Sequence, residues 1–367
     1  GWGGQELRIC LESKFHSKRG HVLALAASPD SQFEARGDFV GKIYPIKFSR
    51  SLMSLISLRR VINEAKPDLI VCHSSTDSWL VTIAKSIWFK HVALVRVRHV
   101  RADVRPGLLN RWFYSRASFI VSTSEDIRRH LIACLELDPL FIESVPTGVD
   151  IEKFELGDHQ LLATASDSQR RLQIGLSDFV LVMVSTLRSW KGHEYVIRAM
   201  KSLPGCRLII VGDGPQEDNL RKIVLEEGVA DRVTFCGFQL DVAPILTMAA
   251  VFLQPSLANE GVSQSLLQAG AMGIPVIASN IGGLNEVIVH NETGLLVEPK
   301  SVTDIVRAVE KFRGCNSLRE RVSKSLLDQV NTHHSALNMS TKMDYVFQRA
   351  IERNRSRYEV DQPPNIL

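Results

Sequence analysis

The sequence predicts an α/β protein of two doubly wound domains, each a parallel sheet with helices on both faces. Three observations predict it. The chain has 367 residues, whereas a single core rarely grows past about 250–300. Apolar, β-rich runs alternate with helical patterns from end to end, the order that parallel strands and crossover helices produce. That alternation lapses after about residue 152 and restarts near residue 178. An apolar fraction of 45% against 23% charged residues is enough to bury a large core.

The first domain is expected over residues 1–152. It opens on Gly1-Trp2-Gly3-Gly4-Gln5-Glu6, ahead of a helical segment, Leu7–Lys18. Strands are expected at Val22–Ala27, Phe39–Ile46, Asp68–His73, Val92–Val97 and Phe119–Ser122, with helices such as Ser51–Ala65 and Asp77–Ile87 between them. A doubly wound domain starts on a strand that feeds its first glycine-rich turn, so about a dozen further residues carrying that strand are expected upstream. Residues 153–177 lack sustained strand periodicity and are expected to be the linker.

The second domain is expected over residues 178–330. Its strands are Phe179–Ser185, Arg207–Val211, Val233–Phe235, Val251–Gln254, Pro275–Ala278 and Leu295–Val297. Helices Pro215–Glu227, Ser263–Met272 and Val302–Phe312 lie between or after them. Residues 331–353 read as a helix expected to pack back across the junction. Residues 354–367 read as a tail, frayed over Asp361–Leu367.

The charge is uneven. Residues 1–150 carry 21 Lys/Arg against 15 Asp/Glu, and residues 151–367 carry 23 against 25. A basic first half implies an anionic partner. Nucleic acid is not expected, because there is no zinc-finger spacing and no aromatic nucleic-acid-binding strand. A phosphorylated ligand or an anionic membrane surface fits better, with a merely soluble basic surface as the plain alternative. No apolar run approaches the ~20 residues of a spanning helix, and no secretory pattern is seen. A cytoplasmic protein is therefore expected, in peripheral contact with the inner face of a membrane. Six scattered cysteines (Cys10, Cys72, Cys134, Cys206, Cys236, Cys315) form no C-x-x-C pair. They read as small hydrophobes in a reducing compartment.

Three loops carry candidate chemistry. Gly3 and Gly4 precede a helix, where backbone N–H groups and the helix dipole favour a phosphate. A second glycine turn, Ile281-Gly282-Gly283-Leu284-Asn285-Glu286, follows a strand. Arg188 and Lys191 lie just past the carboxyl end of Phe179–Ser185, where open α/β sheets bind ligands. Two fixed cations there suit a pyrophosphate, supplying charge that a divalent metal would otherwise bring. In the segment Ser256–Ala269, Glu260 falls in a turn before a helix. The amides of Gln264 and Ser265 then lie at that helix's open N-terminus. A carboxylate here can grip sugar hydroxyls while the amides hold phosphate. Standing alone, each motif also fits an ordinary solvated turn.

At these residues the chain resembles glycosyltransferase family 4. EGVSQSLLQAGAMGIPV is similar to that family's E-G-F-G-x-x-x-x-E-A-x-A-x-G-x-P-V, and GGLNEVIVHNETGLLV to its G-G-x-x-E-x-V…G-x-T-G-L-L-V. LRSWKG resembles the family's basic pair, LIIVGDGP its core strand-turn, PTGVDIEKF its domain exit and GWGGQE its first phosphate loop. The likeness is strong over residues 179–300 and looser before 150.

The resemblance implies a GT-B fold, two Rossmann-like domains facing across a cleft. It implies retaining transfer of a hexose from a UDP- or GDP-sugar donor, a co-substrate, to a glycan or glycolipid acceptor. No metal and no further cofactor are implied, and no D-x-D occurs. On that reading Arg188 and Lys191 hold the donor phosphates, Glu260 holds the transferred sugar, and the base lies against the Cys236-Gly237-Phe238 turn. His99, at the end of Val92–Val97, resembles the histidine that faces the donor sugar. The nearby arginines are acceptor candidates, and the stretch RVRHVRADVRPGLLNRWFY resembles lipopolysaccharide and polysaccharide-assembly transferases. One position departs. Where the family carries a second glutamate on the ribose, this chain has Gln268, which loses the charge-assisted bond.

Rival readings have weaker support. A sugar-nucleotide epimerase needs carboxylates placed for proton abstraction, and no such set is visible. A nicotinamide dehydrogenase needs G-x-G-x-x-G with an acid ~20 residues on. A non-catalytic sugar-nucleotide-binding subunit stays open on the strength of Gln268.

Overall fold

The computed structural model describes residues 3–36, 38–101, 104–154, 159–175, 177–258 and 260–360. The chain forms two compact units. One is Gly1–Thr147 with Ala336–Leu367, and the other is Gly148–Ser335.

The first unit enters on the helix Gly4–Lys18. Strands β1 (Ala24–Ala27) and β2 (Lys42–Pro45) form a parallel pair. β3 (Leu69–Cys72), β4 (Ala93–Arg98), β5 (Phe119–Ser122) and β6 (Ile142–Ser144) form a parallel sheet in that order. Two sheets therefore stand where one was expected. β6 escaped the sequence reading because only three residues pair. Alternation along β4 makes two faces. Leu94 joins Leu58, Ile62, Leu80, Val81 and Ala84 of the helices Leu52–Ala65 and Ser75–Ile87. Val95 and Val97 join Met339, Met343, Val346 and Ala350 of the helix Ala336–Val360.

The C-terminal boundaries differ from expectation. The predicted helix 331–353 forms as Ala336–Val360, which belongs to the first unit, while residues 331–333 end the helix Asn316–His333 of the second. Residues 354–360 are helical rather than tail, while Asp361–Leu367, like Gly1-Trp2, lie outside the described residues. The linker expectation is corrected too. Within 153–177 the helix His159–Arg171 forms and packs on Ala243–Leu246 of the second unit. Its sequence is rich in helix formers and has no strand periodicity.

Asn354 ties the last helix to its sheet. Its Oδ1 accepts from Lys85 Nζ at 2.6 Å and Ser118 Oγ at 3.1 Å, and its Nδ2 donates to Lys90 O at 3.1 Å and His91 O at 2.7 Å. Burial, with Arg357 and Arg116 nearby, pushes Lys85 down to about 8.

In the second unit β7 (Phe179–Val184), β8 (Cys206–Val211), β9 (Val233–Gly237), β10 (Val251–Gln254), β11 (Val276–Ser279) and β12 (Leu295–Val297) are all parallel. Their order is β12-β11-β10-β7-β8-β9. The chain winds outward from β7 through β8 and β9, then returns to β7's other side for β10. That reversal makes the carboxyl ends of β7 and β10 a topological switch point, the usual ligand position in such sheets. Both faces are buried. Leu181, Met183, Leu208 and Ile210 point one way, Val180, Val182, Ile209 and Val211 the other.

Replacing Asn354 by Ala takes the acceptor from buried Ser118, one of three acceptors from Lys85, and the donor from the carbonyls of Lys90 and His91. The expected cost is roughly 2–3 kcal/mol, read as a fall in the urea midpoint. An unchanged midpoint would contradict the anchor.

Candidate functional site

The loops after β7 and β10 carry the residues that the sequence singled out. After β7 the chain turns through Leu187, wholly buried, whose N–H donates to Asp213 O at 2.7 Å. A short 3₁₀ turn, Ser189–Lys191, then ends at Gly192, where φ is +74°. A Cβ there would stand 1.9 Å from Pro255 O. Only glycine allows the basic loop to lie this close to the chain leaving β10. Leu257 N–H donates to Trp190 O at 2.7 Å and closes the junction.

The approach brings Lys191 to Glu260. Their side chains form an ion pair and are 17% and 9% exposed. Ser256 Oγ donates to the same Glu260 Oε1 at 2.7 Å, and Gln254 Nε2 donates to Ser256 Oγ at 3.0 Å. Gln254 Oε1 in turn accepts from Ser263 Oγ and Ser265 Oγ, each at 3.3 Å. Glu260 Oε2 makes no hydrogen bond among the described residues, so one acceptor of a fixed carboxylate stays available. Gly283 N–H holds Glu260 O at 3.2 Å. A Cβ on Gly283 would meet Gly261 C at 2.4 Å, so this second glycine turn is a backbone-to-backbone packing site.

The helix Gln264–Ala271 opens directly beyond this carboxylate. No side chain caps it, and its first N–H groups, those of Gln264 and Ser265 included, lie outside the intrahelical ladder. Gln264 Oε1 is buried without a partner. Gln268 lies further along the same helix, 8% exposed. Arg188 is exposed, its guanidinium 5.2 Å from the Trp190 ring centre. Phe238, 37% exposed, follows β9 in a turn that Gln239 Nε2 closes onto Cys236 O at 2.8 Å. Behind the basic loop, His193 is buried and 2.9 Å from Ser185 Oγ. Burial and Lys191 push it down to about 4, so it is a neutral structural imidazole.

The first unit holds the remaining candidates. Gly3 caps the helix Gly4–Lys18 in an extended conformation, and its N–H already donates to Glu6 Oε2 at 2.9 Å. A carboxylate therefore occupies an amide of Gly3–Gly4 that was expected to meet phosphate. His99 follows β4 and stacks on His73, with His99 Nε2 and His73 Nδ1 3.1 Å apart. Burial, His73 and buried Arg8 hold His99 well below the usual imidazole range. Sequence reasoning missed His73, although it ends β3 as His99 ends β4. It also missed Ser256 and Gln254.

The arginine-rich stretch is only partly a free basic surface. Arg96 is buried with its guanidinium 3.9 Å from the Tyr114 ring centre, Arg101 pairs with Asp126 at 3.3 Å and Arg111 with Glu136 at 2.8 Å. A cavity of about 340 Å³ lined by Asp68, His91 and Ala93 lies at the amino ends of β3 and β4, away from the ligand edge.

Replacing Gly192 by Ala sets a Cβ against Pro255 O and strains a positive φ. The expected result is a stability loss of more than about 1 kcal/mol, with weakened binding of any diphosphate as the loop carrying Arg188 and Lys191 is displaced. Parental midpoint and parental diphosphate affinity would contradict the role given to this contact.

Comparison with known proteins follows the same division. Residues 2–153 match the family model "Glycosyltransferase Family 4", and residues 165–326 match "Glycosyl transferases group 1". A GDP-mannose-dependent alpha-(1-6)-phosphatidylinositol monomannoside mannosyltransferase of Mycobacterium tuberculosis is 36% identical over 183 residues, 47% of this chain and 46% of that protein. The lipopolysaccharide core biosynthesis glycosyltransferase LpsE of Rhizobium meliloti is 35% identical over 134 residues, 36% of this chain and 39% of the relative. The matches thus span about half the length of these relatives or less. The crystal structure of Anabaena HepE in complex with UDP-glucose has a TM-score of 0.83 at 18% identity, covering 95% of this chain and 96% of that one. That likeness speaks for the fold. With both halves matched and each built on parallel sheets, the chain belongs to the glycosyltransferase family 4 group and has the GT-B fold of two Rossmann-like domains.

Proposed function

We propose that this protein transfers a hexose from a UDP- or GDP-sugar to a glycan or glycolipid acceptor, with retention and without a metal. The observation that carries the proposal is the Lys191–Glu260–Ser256 constellation at the switch point, beside an uncapped helix N-terminus. Arg188 and Lys191 neutralise the diphosphate as it leaves, with the N–H groups of Gln264 and Ser265 as further donors. Glu260 binds the sugar hydroxyls through its available oxygen and is not a covalent nucleophile. The acceptor O–H attacks the anomeric carbon on the face that the diphosphate leaves. The C–O bond to phosphate breaks, and the departing phosphate oxygen takes the acceptor's proton. The nucleotide base rests against Phe238, Gln268 meets the ribose, and His99 positions and polarises the donor sugar. Nucleotide-sugar specificity of either kind is supported by the GDP-mannose-dependent relative and by HepE with UDP-glucose.

The acceptor reading rests on the first unit. The helix Leu108–Ser115 exposes Leu108 at 85% and Leu109 at 65%, flanked by exposed Arg105 and Arg116. Adjacent apolar and cationic side chains suit an anionic lipid surface. The relatives named for phosphatidylinositol mannoside and lipopolysaccharide core support a lipid-linked acceptor. No helix of the described residues is long and apolar enough to cross a membrane, and peripheral contact at a cytoplasmic face fits this surface.

Incubation with UDP- and GDP-sugars and candidate lipid acceptors should release nucleoside diphosphate with formation of a glycoside, at equal rates with and without magnesium. Glu260→Gln should lower the rate at least about 100-fold. Strict magnesium dependence would overturn the metal-free chemistry, and an epimerised free sugar nucleotide would overturn transfer. Gln268→Glu should tighten free nucleoside diphosphate by roughly 1–2 kcal/mol if the side chain meets the ribose; unchanged affinity places it elsewhere. Leu108→Ser with Leu109→Ser should abolish co-sedimentation with anionic vesicles at low salt, and retained co-sedimentation would remove this helix from the membrane contact.

A further inference from the structure

A second cluster of ligating side chains lies in the first unit, separate from the donor constellation. His16 sits in the last turn of the helix Gly4–Lys18, His21 just beyond that helix, and Asp344 on the helix Ala336–Val360. His16 Nδ1 is 2.8 Å from Asp344 Oδ1, and His21 Nε2 is 3.7 Å from the same oxygen. One ligand atom from each residue lies within 4.8 Å of the other two.

Hydrogen bonding does not account for this arrangement. His16 is 3% exposed, yet neither of its ring nitrogens makes a hydrogen bond, and nor does Asp344 Oδ1. The imidazole and carboxylate are close but out of line. A tetrahedral zinc ion with bonds of ~2.0–2.1 Å holds its ligand atoms on the order of 3.3 Å apart, between the two separations seen here. The other carboxylate oxygen is occupied by Arg19, which also donates to Thr341 Oγ1 at 2.9 Å. That contact orients Oδ1 toward the imidazoles, as outer partners of metal ligands do. His21 is about half exposed, so solvent can complete the coordination.

We propose that His16, His21 and Asp344 form a site for a zinc-class divalent cation that fastens the carboxy-terminal helix to the first helix of the unit. Two imidazoles and one carboxylate select a borderline transition ion over magnesium. The bond joins segments far apart in sequence, so binding stabilises the folded unit.

The test uses the full chain carrying Cys315→Ser, because Cys315 is an exposed thiol. Chelator-stripped protein is titrated with zinc chloride by calorimetry and by thermal melting. A single equivalent should bind and raise the Tm, while magnesium does neither. His21→Gln and Asp344→Asn should each weaken zinc at least roughly tenfold. Both should keep the far-UV spectrum of the stripped parent. Cobalt in place of zinc should give visible d–d absorption that His21→Gln abolishes. Absence of a zinc-dependent shift, or the same shift in both variants, would overturn the site and leave an ordinary His16–Asp344 pair.

Discussion

The close approach of Gly192 to the Pro255 carbonyl is the contact on which the Lys191–Glu260–Ser256 constellation depends. It sets two loops from different strands side by side at the one place where the sheet's winding reverses. A side chain at residue 192 would push them apart, since its Cβ would lie 1.9 Å from the carbonyl oxygen. Everything downstream follows from that spacing. Lys191 reaches Glu260, Ser256 reaches the same carboxylate oxygen, and Gln254 links both to the serines at the start of the next helix.

The charges in this constellation are balanced before any ligand arrives. Lys191 and Glu260 neutralise each other in a largely buried setting, where leaving either alone would be costly. On the proposed reading a donor enters by dividing the pair's duties. Its phosphates draw on the ammonium and the exposed Arg188, while its sugar hydroxyls take the free oxygen of Glu260. The uncapped helix adds partial positive charge at no reorganisation cost. On the same reading these groups supply the charge that a bridging metal would bring, and specificity for the sugar is tied to the carboxylate that positions the cation.

Much of this was legible in the sequence. The strands of the second unit appear within a residue or two of expectation because buried parallel strands leave short apolar runs bounded by turns. Arg188, Lys191 and Glu260 are legible as candidates because ligand groups collect after strand ends in such sheets. Their pairing was not visible, since Lys191 and Glu260 are 69 residues apart and only the β10-β7 adjacency brings them together. Gln254 and Ser256 read as strand end and turn, with nothing in their types to mark a relay of hydrogen bonds. Gly3–Gly4 looked open to phosphate because the return of the Glu6 side chain onto Gly3 depends on rotamer choice. The arginines near residue 100 looked like one basic surface. Their division into a buried stack, two ion pairs and an exposed remainder depends on partners in other elements.

The most direct measurement is the affinity of a free nucleoside diphosphate for the parent, Lys191→Ala and Glu260→Ala, taken alongside transfer rate. In the proposed function the cation serves the phosphate and the carboxylate the sugar. Lys191→Ala should therefore lose about tenfold or more in diphosphate affinity. Glu260→Ala should keep or gain affinity, because it frees the ammonium, yet lose transfer. An equal loss of diphosphate affinity in both variants would contradict that division and make the pair a single structural unit.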